Sequence, residues 1–223
     1  MNLRFKTPTL HYAHVPYIPA LDLTRTVAKS LFRDRHRPWE AVFNPSAAIV
    51  KLGTELDYEQ YDEIAEGVWV HISAYLAPTA KIEAPAIICG GAKICHHTVV
   101  GRSVIGSFCT VGEMSSVKNS ITFDRSSLRS HNSISHSILG YESILGEGAI
   151  VTDARLDGLN VTVATPNGAH PSSHSRLGAI ICDGARIGAA CIISPGSIID
   201  SNAQIPPLSS ISGYIHPYAN VKR

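Results

Sequence analysis

Histidine is the residue type best suited to acid–base chemistry in this sequence, which contains 11 of them. An imidazole exchanges its proton near neutral pH, so a well-placed histidine can serve as a general base. His96 and His97 are adjacent, but a metal site there would need further ligands held at suitable distances. We interpret this pair, together with His71, His136 and His216, as solvated or structural side chains.

Other reactive groups give weaker signals. Serines cluster at 126–127 and 133–137 and indicate a hydroxyl-lined face, but no G-x-S-x-G motif marks one as a nucleophile. Arg33, Arg35 and Arg37 follow a predicted helix and fit a solvated C-terminal end. The five cysteines form no CxxC pair, and their odd number in a chain without a recognisable secretory signal predicts reduced thiols.

The bulk composition is that of a globular protein with a packed core. Hydrophobic residues make up 44% and charged residues 17% of the 223 residues. The formal net charge of +1 gives no support for binding nucleic acid or an anionic membrane. No apolar stretch resembles a signal peptide or a membrane span, so we expect a cytoplasmic protein.

A six-residue repeat of large aliphatic side chains must position any site in this chain. Two long runs keep this spacing, at Val70, Leu76, Ile82, Ile88, Ile94 and Val100, and at Ile181, Ile187, Ile193, Ile199, Ile205 and Ile211. After one five-residue step the first run continues at Ile105, Val111 and Val117. The spacing returns after residue 138, at Leu139, Leu145 and Val151. A small residue follows most of these aliphatics four positions later, and Cys109 and Cys191 at that position are interpreted as core residues.

This period fits neither a helix nor a two-residue strand alternation, and it excludes an ordinary β-sandwich. It predicts a parallel β-helix in which three hexapeptides make one triangular coil of about 18 residues around an aliphatic core. We assign this β-helix to residues 67–215 and a C-terminal tail to 216–223. The repeat is interrupted twice, because residues 118–138 keep only broken periodicity and residues 152–176 form a loop insertion predicted to be exposed.

Residues 1–66 lack the repeat and are predicted to form a helical cap. Residues 22–33 have the pattern of an amphipathic helix. A second helix is predicted to start with Asn44 as N-cap and Pro45 at its first position, with Gly53 just past its end. Because an open end of a β-helix exposes strand edges, we expect this segment to cover the first coil.

Four stretches of the sequence resemble a known group of repeat proteins: PWEAVF at 38–43, VKNSITFD at 117–124, SHSILGYESILGEGA at 135–149, and RLGAIICDGARIGAACIISPGSII at 176–199. From about Trp39 to Ile211 the chain resembles the hexapeptide-repeat acyltransferases, and in particular the acetyltransferase half of N-acetylglucosamine-1-phosphate uridyltransferase/glucosamine-1-phosphate acetyltransferase. The resemblance implies a left-handed β-helix, a homotrimer, and acetyl-CoA as the acyl donor. The sequence contains nothing similar to the glycine-rich phosphate loop of the nucleotidyltransferase half.

The resemblance also implies a site. Lys118 matches the family's substrate-binding lysine, and a histidine some 12 residues later is the family's general base. A gapless alignment places Ser130 at that position, whereas a local shift of one residue delivers His131 into it. Both residues stay candidates for the catalytic position.

Further positions depart from the family pattern. Asp153 stands where the family has an asparagine, which replaces an amide by a carboxylate that only accepts hydrogen bonds and could position an amine. Arg102 and Arg176 are assigned to substrate binding, and the insertion contains no lysine.

Two hypotheses follow. The chain is either an acyl-CoA-dependent transferase, acetylating an amino sugar phosphate or a related small amine, or a catalytically degenerate β-helix. In the second case it would bind a sugar nucleotide or act as an assembly scaffold.

Overall fold

The structure, a computed structural model, describes residues 19–33 and 37–221 and is a left-handed parallel β-helix. It contains three 3₁₀ helices at Leu23–Arg25, Val27–Leu31 and Pro38–Val42, and one α-helix, α1, at Ser46–Thr54. The strands in chain order are β1 (Tyr61–Ala65), β2 (Val68–His71), β3 (Tyr75–Leu76), β4 (Lys81–Ile88), β5 (Lys93–Ile94), β6 (Val99–Ile105), β7 (Thr110–Val111), β8 (Ser116–Lys118), β9 (Ile121–Thr122), β10 (Ser127–Leu128), β11 (Ser133–Ser135), β12 (Ile138–Leu139), β13 (Ile144–Leu145), β14 (Ile150–Val151), β15 (Thr162–Thr165), β16 (Gly168–Pro171), β17 (Ile180–Ile181), β18 (Arg186–Ile187), β19 (Ile192–Ile193), β20 (Ile198–Ile199), β21 (Gln204–Ile205), β22 (Ser210–Ile211) and β23 (Tyr214–Ile215).

Each coil contributes one short strand to each of three flat faces. Face 1 consists of β2, the second halves of β4 and β6, and then β9, β12, β17, β20 and β23. Face 2 consists of β3, β5, β7, β10, β13, β18 and β21. Face 3 consists of the first halves of β4 and β6, and then β8, β11, β14, β19 and β22. The β-helix predicted from the hexapeptide repeat is therefore confirmed.

The interior of the coil is a column of aliphatic side chains, as the repeat predicts. Val100, Ile105, Leu145 and Ile199 are among its fully buried members. The five cysteines are unpaired, and Cys109 and Cys191 are both buried in this column. Stacking of such side chains from coil to coil removes apolar surface from water along the whole axis.

The predicted interruption at residues 118–138 is wrong, because this segment forms a regular coil. Ser116 pairs with Val99 in the coil before it and with Ser133 in the coil after it, so the central coils repeat every 17 residues. Thr122, Leu128 and Ile134 supply their buried inward positions. The series was hidden because the five-residue step recurs in every central coil and because a threonine occupies one aliphatic position.

Three buried serines explain how the shortened coils turn from face 3 into face 1. Ser103, Ser120 and Ser137 each follow the five-residue corner, and each hydroxyl donates to the carbonyl two residues earlier, at 2.7–2.8 Å. The hydroxyls of Ser103 and Ser120 also accept the backbone N–H of the serine one coil later, at 3.1 Å. These hydrogen bonds satisfy backbone groups that the tight corner would otherwise leave unpaired.

The N-terminal segment differs from the predicted helical cap. The single helix predicted for residues 22–33 is two short 3₁₀ helices, because Thr26 breaks the first and accepts the N–H of Ala28 as N-cap of the second. The second predicted helix is present as α1, but Pro45 rather than Asn44 occupies the N-cap position. Gly53 lies inside α1 because its backbone packs on Trp69, where an added Cβ would come within 2.3 Å of the indole ring.

Two parts of this segment cover different surfaces. The helical part covers the side of face 1, where Leu31, Phe32 and Val42 pack with outward residues that include Val104 and Phe123. The end of the first coil is covered by β1, within the predicted cap, which pairs antiparallel with β2 in a hairpin. Face 1 carries apolar side chains on its inner and its outer surface, so a second layer must cover the outer surface.

The insertion and the C-terminus are more ordered than the repeat pattern indicated. β15 and β16 form an antiparallel hairpin within residues 152–176, and Val161 and Val163 are buried against face 1. Beyond residue 215, Ala219 and Val221 pack against the core, so the coil continues into the segment predicted to be a tail.

Some predictions fall on residues 1–18, 34–36 and 222–223 and lie outside the described residues, among them those on a signal sequence and on Arg35. Among the residues that are described, no helix is long and apolar enough to cross a membrane.

Candidate functional site

The corner between face 3 and face 1, here called the 3/1 corner, carries a column of polar residues. Arg102, Asn119 and His136 occupy the same position in three successive coils, and each has φ +48°, in the left-handed region. Asp153 follows at the same 17-residue interval, at the start of the insertion. The regular coil therefore stacks four polar side chains above one another, although they are far apart in sequence.

His136 and Asp153 form a hydrogen-bonded pair at this corner. His136 Nδ1 donates to Asp153 Oδ2 at 2.8 Å, and the two side chains are only 17% and 14% exposed. Assigning the ring proton to Nδ1, from this hydrogen bond, leaves the lone pair of a neutral imidazole on Nε2. Within the described residues no partner contacts Nε2. The pair thus has the arrangement of a histidine held by a carboxylate to act as a base.

Asp153 is fixed as an anion by its surroundings. The hydrogen bond from His136, aided by Ser135 and Arg176, lowers its pKa to about 2 in spite of partial burial, which opposes the shift. Arg176 Nη1 lies 3.0 Å from Oδ1 and 3.3 Å from Oδ2. Ser135 Oγ lies 3.0 Å from His136 Nδ1. An ionised carboxylate at this place accepts the Nδ1–H and so holds the imidazole in one orientation.

The two ends of the insertion meet over this pair. The N–H of Leu177 donates to the carbonyl of Asp153 at 2.8 Å, and the N–H of Gly178 donates to the carbonyl of His136 at 2.9 Å. Ala154 and Arg176 form an isolated antiparallel bridge. Gly178 permits this approach, because an added Cβ would lie 2.3 Å from the carbonyl oxygen of Ser135. The neck of the insertion therefore positions both Asp153 and Arg176.

Two further cations lie on the same corner, on the coils before His136. Lys118 is half-buried and pairs with Ser135 of the next coil, in strands β8 and β11. Its carbonyl accepts the N–H of His136 at 3.0 Å. Its ammonium makes no ion pair or hydrogen bond within residues 19–33 and 37–221. Arg102 is exposed and its Nε donates to Asn119 Oδ1 at 2.9 Å. Both cations therefore lie on the corner that leads to His136.

Ser130 and His131 lie elsewhere, at the corner between face 2 and face 3, here called the 2/3 corner. His131 is exposed, has φ +63° and shares its column with His97 and Met114. Strand β11 separates it from His136. The structure thus brings Arg102, Lys118, Asp153 and Arg176 together and leaves the two predicted base positions apart from them. His136 was interpreted as structural, and its constant 17-residue spacing from Asn119 and Asp153 was the signal that could have identified it.

A cleft of about 480 Å³ opens next to Asp153, on the side of the later coils. It is lined by Thr152, Ala154, Arg155, Leu156, Asp157, Ser194 and Pro195. Leu156 extends fully into solvent at its rim. Nowhere in the described part of the chain do three or more histidine, cysteine or acidic side chains come together as metal ligands would.

The family model of the GMPPB C-terminal domain matches residues 64–167, somewhat less than half of the chain. Among curated proteins, the uncharacterized acetyltransferase YaiX of Escherichia coli K12 is 29% identical over 105 residues, which are 47% of this chain and 46% of YaiX. The YaiX of Escherichia coli O6:K15:H31 strain 536 matches with the same figures. The chain thus spans about half the length of the curated relatives it matches.

Two solved structures are among those that match. PerB from Caulobacter crescentus, in complex with CoA and GDP-perosamine, is 16% identical over 65% of this chain and 53% of that chain, with a TM-score of 0.30. The N-acyltransferase AntD from Bacillus cereus, in complex with dTDP and 3-hydroxybutyryl-CoA, is 15% identical over 69% and 73%, with a TM-score of 0.40. By its repeat and its coil, the chain is a hexapeptide-repeat protein of the left-handed β-helix fold, and its sequence resembles the acetyltransferases built on that fold.

Proposed function

We propose that this protein transfers an acetyl group from acetyl-CoA to the amine of an amino sugar that carries a phosphate, as a sugar phosphate or a sugar nucleotide. The observation that supports the proposal most is the His136–Asp153 pair, whose Nε2 is free to accept a proton. The resemblance to acetyltransferases, including the name of YaiX, supports the same reaction class.

In this proposal His136 is the general base. The amine nitrogen attacks the thioester carbonyl carbon, a C–N bond forms, and the C–S bond breaks. His136 Nε2 takes the proton that the nitrogen loses and gives it to the leaving sulfur. An imidazole is suited to both transfers because it changes charge near neutral pH. Asp153 stabilises the imidazolium that forms in between, as it accepts from Nδ1 throughout.

Lys118 and Arg102 would hold the substrate phosphate. Both lie on the coils before His136, on the same corner. The Lys118 ammonium makes no hydrogen bond or close ion pair within the described chain, and Glu83 acts on it only through its charge. A phosphate bound there would place the sugar along the corner with its amine directed toward His136. Lysine and arginine are the usual ligands for phosphate, and arginine can bind it through two nitrogens.

The cleft on the other side of Asp153 fits the thioester end of acetyl-CoA. Its lining at Ala154, Leu156 and Pro195 is apolar, and Thr152 and Ser194 supply hydroxyl groups. Acetyl-CoA bound there would supply the activated acetyl group. The acceptor and the donor would then approach His136 from opposite directions along one corner, which is the geometry that a transfer between two substrates requires.

We also expect a homotrimer. The described part of the N-terminal segment packs on face 1, and Ile150 and Ile192 on face 3 are 42% and 51% exposed. Apolar side chains on a flat, uncovered sheet are suited to a subunit interface, and closed rotational symmetry would use them in every copy. Light scattering would test this: a mass of three chains is expected, and a monomer would contradict it.

Release of free thiol from acetyl-CoA tests the proposal. The acceptors are glucosamine, glucosamine 1-phosphate and nucleotide-linked amino sugars, each with wild type and Lys118→Met. We expect thiol release only when an acceptor is present, faster with the phosphorylated acceptors. Lys118→Met should raise KM for phosphorylated acceptors about tenfold and leave it unchanged for glucosamine, because only the former lose a charged contact.

Absence of thiol release with every acceptor, in a folded wild-type protein, would contradict the proposal. Binding of a sugar nucleotide without turnover would then support the alternative of a catalytically degenerate β-helix.

A further inference from the structure

We infer that Arg176 is a positioning residue that acts on His136 through Asp153, and that it does not bind the substrate. The inference rests on the proposed function and deepens it, because it divides the cations of the 3/1 corner into two roles. Arg176 fixes the base, whereas Lys118 and Arg102 receive the anionic group.

The first argument is the difference in hydrogen bonding between the cations. Arg176 directs one nitrogen, Nη1, at both carboxylate oxygens of Asp153, at 3.0 and 3.3 Å. Lys118 makes no such contact in the part of the chain described by the structure. A substrate phosphate that recruited Arg176 would have to compete with an ionised carboxylate already in contact with it. No described carboxylate is bonded to the Lys118 ammonium, because Glu83, which acts on it through its charge, is bonded to Lys81.

The second argument is the backbone around Arg176. Its bridge to Ala154 and the hydrogen bond from Leu177 to Asp153 hold both ends of the insertion in register. Arg176 therefore reaches Asp153 from a fixed backbone position, although its side chain is 63% exposed. With Oδ1 and Oδ2 both contacted, the carboxylate cannot turn freely, and Oδ2 stays aimed at His136 Nδ1.

The charged groups near His136 lie on the insertion neck and on the coils before it. Asp153 and Arg176 lie at the two ends of the neck, Lys118 lies on the neighbouring coil, and Arg102 lies two coils away on the same corner. Glu83, which is bonded to Lys81, acts on Lys118 and Arg102 through its charge. Of these cations Arg176 is the one in contact with Asp153, so its loss should release the carboxylate and let the His136 ring leave its fixed orientation.

The test compares Arg176→Gln, Arg176→Lys and the control Arg186→Gln, which removes an exposed arginine on face 2. We expect Arg176→Gln to lower kcat about tenfold and to change KM for the phosphorylated acceptor less than about twofold. Arg176→Lys should restore most of kcat, since it keeps the charge. Arg186→Gln should behave as wild type.

A second readout does not depend on turnover. The Nδ1–H proton of His136, assigned by its loss in His136→Gln, should give a slowly exchanging NMR signal in wild type, Arg186→Gln and Arg176→Lys. It should exchange rapidly in Arg176→Gln. If wild type showed no acetyl transfer, the proposed function would fail, and this signal would still decide the role of Arg176.

A tenfold rise in KM with unchanged kcat and an unchanged Nδ1–H signal in Arg176→Gln would overturn the inference and assign Arg176 to the substrate. An unchanged Nδ1–H signal alone, in the absence of turnover, would overturn it as well.

Discussion

The two corners that bound face 3 each carry a histidine with left-handed backbone geometry, and only one of them is oriented by a neighbour. His136 at the 3/1 corner has φ +48°, and His131 at the 2/3 corner has φ +63°. One coil later, Asp153 stands above His136, whereas Gly148 stands above His131. A glycine offers no side chain to hold an imidazole, and a carboxylate offers a charged acceptor.

This difference shows how a solenoid builds a site. The corner geometry repeats in every coil, so the local conformation does not distinguish one histidine from the other. The two histidines differ in the residue that the next coil stacks on them, and the coil length determines which residue that is. In this chain the central coils are 17 residues long, so the residue stacked on His136 is Asp153, at the start of the insertion.

Among the substitutions that test the difference between the two corners, Asp153→Asn is expected to have the largest effect on kcat. The amide cannot stabilise an imidazolium and can bind the wrong tautomer, so kcat should fall about 100-fold or more. Asp62→Asn, in exposed strand β1, is the matched control and should leave kcat unchanged. Thiol-release kinetics measure both. A loss below threefold in Asp153→Asn would mean that the pair does not orient the base.

Alanine substitution of a corner glycine should also separate the two corners. In Gly178→Ala the new Cβ would lie 2.3 Å from the Ser135 carbonyl oxygen, so the neck must shift at a cost of about 2–3 kcal/mol. Gly148→Ala meets no atom within 4 Å, and only its positive φ costs stability, about 1 kcal/mol. Urea unfolding measures both free energies. Equal losses would contradict a tightly packed neck.

The hydroxyl of Ser120 is expected to stabilise the short corner. Ser120→Ala leaves the buried N–H of Ser137 without its acceptor, which should cost about 1–2 kcal/mol. The control Ser116→Ala changes an outward, half-buried hydroxyl on face 3 and should cost under about 0.5 kcal/mol. The comparison uses the same unfolding experiment, and equal values would show that the serine hydroxyls do not hold the corner.

Acid should weaken the 3/1 corner through Asp153. Its pKa is lowered from 3.8 to about 2 in the folded chain, so its stabilising contribution is complete above about pH 4 and is lost as the pH falls toward 2. The contribution is about 1–2 kcal/mol. The unfolding free energies of wild type and Asp153→Asn should therefore converge between pH 5 and pH 2. A constant difference between the two unfolding free energies over that pH range would contradict the lowered pKa of Asp153.

The sequence predicted the β-helix because its signal is the regular spacing of aliphatic side chains, which the core requires. It did not predict the regular coil at 118–138, since Thr122 is chemically unlike the other inward residues although it is just as buried. The path of the N-terminal segment along face 1 was also missed, because local helix signals do not show which surface a segment covers.

Of the site, the sequence selected the cations and Asp153 but placed the base at His131 or Ser130. A gapless alignment treats the corner as a motif along the chain, whereas the pairing of His136 with Asp153 depends on the length of one coil. Arg176 reaches the pair only because the insertion closes on itself, which no spacing in the sequence displays.

The most direct measurement is the kinetics of His136→Ala beside His131→Ala, with acetyl-CoA and a phosphorylated amino sugar. The account predicts that His136→Ala lowers kcat at least about 100-fold and that His131→Ala stays within about threefold of wild type. The reverse pattern would contradict it and would return the catalytic role to the 2/3 corner.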